Sequence, residues 1–88
     1  MDLFLHYISL PGALTQGDVI EALERAMDGA GAVTGGTETR IDMDLDDERV
    51  NPKLTQGAVL TCVRALGFGR GTRLELGGLE VDVSEQTI

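Results

Sequence analysis

The chain has 88 residues, enough for one domain and one small core, because a domain of this size buries only about 60% of the surface that its unfolded chain exposes. Hydrophobic residues make up 42% but aromatic residues only 3%, with no tryptophan, which argues against a deep aromatic pocket for a sugar or a base. Fifteen acids against seven bases give a net charge of -8, which repels a phosphate backbone and speaks against direct nucleic-acid binding.

The single cysteine, Cys62, excludes an internal disulfide framework. No apolar stretch nears the roughly 20 residues needed to span a bilayer, and no charged region precedes a signal-like core. The expectation is a soluble, cytoplasmic protein in a reducing compartment, away from membranes.

Residues Leu3 to Leu10 are apolar at nearly every position, which predicts an interior strand ended by Pro11-Gly12. Next, Val19, Ile20, Leu23, Ala26 and Met27 share one helical stripe. Thr15 with Asp18 forms a capping box in front of this helix, and Gly29 with Gly31 supplies its stop. Gly35-Gly36 reads as a turn. From Thr37 to Asp46 the period becomes two, with Thr39, Ile41, Met43 and Leu45 on one face and Arg40, Asp42, Asp44 and Asp46 on the other. After a polar break at Asn51-Pro52, Val59, Cys62, Val63 and Leu66 repeat at helical spacing up to Gly67.

The last segment, RLEL-GG-LEVDV, reads as a β-hairpin around Gly77-Gly78. A two-residue loop pairs Leu76 with Leu79, Glu75 with Glu80, Leu74 with Val81 and Arg73 with Asp82, which puts the apolar partners on one face. Glu75 and Glu80 then stand opposite as like charges, unfavourable without a cation nearby. The echo of Leu14-Thr15-Gln16-Gly17 in Leu54-Thr55-Gln56-Gly57 reads as two similar capping turns rather than as a duplicated half.

These elements predict an α+β two-layer sandwich in the order β-α-β-α-β-β, with two helices on one face of a four-stranded mixed sheet. That order resembles the order found in the C-terminal domain of a bacterial translation initiation factor, in Alba chromatin proteins and in small sulfur-carrier proteins. The likeness is one of order alone. The basic loops of the nucleic-acid binders and the Cys-Pro pair of the sulfur carriers are missing here, so no family is claimed.

The sheet face left open by the helices is expected to carry Arg40, Asp42, Asp44 and Asp46 from the second strand and Arg73, Glu75, Glu80 and Asp82 from the hairpin. Charge is uneven along the chain: residues 1 to 48 hold eleven acids and two bases, and the remainder holds four acids and five bases. If Leu3, Leu5 and Tyr7 face the helices, then Phe4, His6 and Ile8 lie on the open face; the opposite phase exchanges the two sets, and either leaves an apolar strip that suits an interface.

Chemistry-bearing arrangements are weak. Asp42, Asp44 and Asp46 mimic the start of a calcium loop, but Asp47 stands where the turn glycine belongs and Lys53 where the bidentate glutamate belongs. The run Gly67-Phe68-Gly69-Arg70-Gly71 follows a helix C-terminus, whose carbonyls do not attract phosphate. Cys62 lies on an apolar stripe, where a thiol behaves as a small hydrophobe. No catalytic group, metal or cofactor is expected.

The leading expectation is a small interaction protein of the inhibitor, immunity-protein or antitoxin type, including a phage inhibitor of a defence protein. Its carboxylates would mimic phosphate charge toward a basic, nucleic-acid-binding partner, with Arg40 and Arg73 limiting self-repulsion. A homodimeric structural or accessory subunit built on the strand-one strip is the alternative. A small-molecule or enzymatic subunit using His6, Tyr7 and Cys62 is the third.

Overall fold

The computed structural model describes residues 1–84. Its elements are β1 (Asp2–His6), α1 (Gln16–Met27), β2 (Gly31–Thr37), β3 (Arg40–Leu45), α2 (Pro52–Leu66), β4 (Arg73–Leu76) and β5 (Leu79–Asp82). Together they make an α+β fold whose strands form one five-stranded sheet in the order β2-β3-β1-β4-β5, antiparallel at every pairing. The first six elements, with β3 inserted between β1 and β2, trace the split β-α-β, ferredoxin-like arrangement, and β5 extends the β4 edge. Among the described residues, no helix is long and apolar enough to cross a membrane.

The four-stranded mixed sheet is thereby corrected, and the difference comes from β2. Its sequence, GAVTGGT, offers little apolar alternation and three glycines. Two of those glycines, Gly31 and Gly36, reflect close packing. A Cβ on Gly31 would stand 2.8 Å from Met27 Sδ and 2.9 Å from the Asp44 carbonyl oxygen, so the end of α1 and strand β3 both require hydrogen there. Because β2 runs parallel to β1 and then turns back through Glu38-Thr39, β3 must run antiparallel to β1. The second predicted strand accordingly splits: Thr37 ends β2 and Arg40 begins β3. With β2 added, the order-based likeness to the three families named above no longer holds.

Strand β1 is the central strand, paired with β3 on one side and β4 on the other, but it stops at His6 rather than at Leu10. Leu3 and Leu5 are fully buried against the helices, and Tyr7 continues the same face into the following turn. Val19, Leu23 and Met27 of α1 and Val59 and Val63 of α2 meet Ile41, Met43, Leu45, Leu74 and Leu76 in one core. Phe68, just past α2, closes one end by packing on Tyr7 with ring centroids 5.5 Å apart.

Local signals account for both helices. Thr15 Oγ1 accepts from the Asp18 amide while the Thr15 amide donates to Asp18, which completes the capping box of α1. Helix α2 starts with Asn51 as cap and Pro52 at the first turn, and it ends at Gly67 in the left-handed region. The second Leu-Thr-Gln-Gly copy lies inside α2, with Thr55 buried, so only the first copy makes a capping turn. The β4–β5 register is the one that the two-glycine loop dictates.

The sheet is wider than the helix layer. Beneath the helices Leu74 and Leu76 are covered, whereas their partners Val81 and Leu79 on edge strand β5 are 37% and 69% exposed. Arg64 Nε of α2 donates to the Val83 carbonyl at 2.9 Å, which fastens the end of the hairpin to the helix layer.

Candidate functional site

Three cross-strand rows make up the open sheet face. At one end lie Arg40, His6, Arg73 and Asp82; in the middle lie Asp42, Phe4, Glu75 and Glu80; at the other end Asp44 stands opposite Asp2. The face is therefore banded rather than uniformly acidic, with its cations gathered in the first row.

Cations and acids are linked between rows. Arg40 grips Asp42 with two hydrogen bonds of 2.6 and 3.2 Å, and its guanidinium lies 5.8 Å from the centre of the Phe4 ring. His6 Nε2 lies 2.9 Å from Glu75 Oε1, and Arg73 Nη1 donates to Glu80 at 2.7 Å. The like-charge pair Glu75–Glu80 thus has a partner for each carboxylate. At the far end Asp44 remains well exposed and accepts from the terminal ammonium of Met1 at 3.0 Å.

Of the eight charged residues expected on this face, Asp46 is not on the sheet. It lies one residue past β3, where its carboxylate accepts from the backbone amides of Glu48 and Arg49 and from Arg49 Nε. Asp2 takes its place, so six carboxylates still face two guanidinium groups. Alternation along β1 carries this information, since Asp2 has the parity of Phe4 and His6; starting the strand at Leu3 hides it.

Beyond Asp44 the acidic end continues into an open hollow of about 450 Å³ lined by Ala32, Thr34, Asp44, Asp46, Glu48 and Arg49, among others.

Phe4, His6 and Ile8 do not form a continuous strip. Phe4 and His6 are half-buried on the open face, but Ile8 lies beyond β1 in the following bend and is 76% exposed. His6, Tyr7 and Cys62 are not brought together either. Tyr7 turns inward, where its hydroxyl accepts from Gln16 Nε2, and the Cys62 thiol points to the Ala22 carbonyl between the helices. Burial pushes the Cys62 thiol pKa up, which disfavours the reactive thiolate. Asp42 and Asp44 are strand residues, so no calcium loop forms around them.

Acid sensitivity follows from Asp18, Asp46 and Asp82. Hydrogen bonds from Thr15, from the Arg49 and Glu48 amides, and from Ser84 hold these three carboxyls below the ordinary aspartate value. A depressed folded pKa gives stability that is fully present above the unfolded value of 3.8 and is lost as pH falls through the folded value. Melting temperature is expected to fall below about pH 4 and to fall less in Asp46→Asn, as thermal melts between pH 2 and 7 would show.

No family model matches the chain, and no curated protein or solved structure matches it either.

Proposed function

We propose that this chain is a small protein-interaction module that docks its open sheet face on a basic protein, in the manner of an inhibitor, immunity protein or antitoxin. The observation that carries this reading is the pleated face of six carboxylates against two arginines, which neither α1 nor α2 covers. An acidic face accelerates encounter with a basic surface and makes association dependent on salt. Of its two ends, the one formed by Asp2, Asp44 and the adjoining acid-lined hollow is the more open to a partner's arginine or lysine. Phe4 is partly covered by Arg40, which leaves little bare apolar surface for a homodimer through β1.

The test starts with the tagged chain and co-precipitation at low salt, followed by titration of the captured basic protein against two charge-reversed variants. Asp42→Lys with Asp44→Lys is expected to abolish association, and Glu21→Lys with Glu24→Lys on α1 is expected to leave it within twofold. Equal binding by both variants, or association that ignores salt, would remove the reading.

A further inference from the structure

His6, Glu75 and Glu80 come from strands β1, β4 and β5, and one ligand atom from each lies within 4.8 Å of the other two. We propose that they form a binding site for a divalent transition-metal ion of the zinc type, which goes beyond the partner-docking reading and does not depend on it. An imidazole nitrogen with two carboxylate oxygens is a three-ligand set of the kind that leaves a fourth position open in tetrahedral zinc sites. Such ligand atoms sit about 3.3 Å apart around the ion, and His6 Nε2 and Glu75 Oε1 are already 2.9 Å apart. Closing the set takes a slight opening of the His6–Glu75 hydrogen bond, with release of any Nε2 proton, and an inward movement of Glu80 at the exposed edge.

The scaffold favours this arrangement. Glu75 and Glu80 are held opposite each other by the hairpin register, and Glu75 is paired with Phe4 of the central strand, with His6 on the diagonal. Glu75 and Glu80 are partnered by His6 and Arg73, and a divalent ion between these opposed carboxylates adds a stronger attraction than either partner supplies. Phe4, with its ring centroid 6.2 Å from that of His6, walls one side of the imidazole. Arg73 occupies one Glu80 oxygen and leaves the other for a metal. Imidazole with carboxylates suits zinc better than calcium, which takes six to eight oxygen ligands.

Zinc chloride titrated into the whole chain by calorimetry, with Co²⁺ as a spectroscopic probe, tests the site. The expected result is one ion per chain with micromolar affinity and the intense visible absorption of four-coordinate Co²⁺. His6→Ala and Glu80→Gln are each expected to weaken binding at least tenfold, while Asp44→Asn on the same face stays within twofold; melts confirm that each variant is folded. Glu80 lies on an exposed edge strand, so Glu80→Gln keeps the test alive if His6→Ala does not fold. Absence of saturable heat, a smaller loss in the folded ligand variants, or equal loss in Asp44→Asn would overturn the assignment and leave only diffuse attraction of cations to an acidic surface.

Discussion

Leu5→Ala is expected to cost about 3 to 4 kcal/mol, within the range of about 2 to 5 kcal/mol for truncating a buried leucine in a packed core. Leu5 lies within the central strand, is 0% exposed, and faces the helix layer with neighbours Ile41 on β3 and Leu74 on β4. Cavity formation at that point is hard to relax, because the strands on either side are fixed by their hydrogen bonds. A chain of this length has roughly 4 to 13 kcal/mol of stability in total, so the variant should lie near its folding threshold. Urea melts measure the loss. Ile8→Ala, three residues along, removes an exposed side chain and should change stability by no more than about 0.5 kcal/mol. If the two substitutions cost the same, the inward phase of β1 is wrong.

Gly36→Ala is expected to cost about 2 to 4 kcal/mol through backbone strain and a direct clash. Gly36 has φ of +151°, and an added Cβ would fall 2.2 Å from the Arg40 carbonyl oxygen, which belongs to the backbone of the next strand and cannot turn aside. Its neighbour Gly35 gives the contrast, since a Cβ there would meet nothing within 4 Å. Gly35→Ala should therefore be close to neutral. Comparable melting temperatures for the two variants would mean that β2 does not pair with β3 as described.

These glycines also explain what was and was not legible in the sequence. Alternation in Ile41, Met43 and Leu45, the helical stripes, the capping box at Thr15 and the Gly77-Gly78 loop all report local preferences, and each leads to the observed element. Strand β2 has no such local signature. Its glycines Gly31 and Gly36 are dictated by Met27, Asp44 and Arg40, which approach them only in the folded chain. Likewise His6 shows no relation to Glu75 and Glu80 along the chain, because the grouping depends on β1 lying beside the hairpin. Alternation does place Asp42, Asp44, Glu75, Glu80 and Asp82 on one face, and it fails for Asp46 because pairing stops at Leu45.

The central position of β1 has a consequence for how the molecule assembles. Its neighbours lie far along the chain, with Leu5 paired to Ile41 on one side and Leu74 on the other. Closing such long loops is entropically slow. Strand β1 therefore gains its β3 partner before its β4 partner as the chain is made, and its pairing is complete only after β4 has emerged.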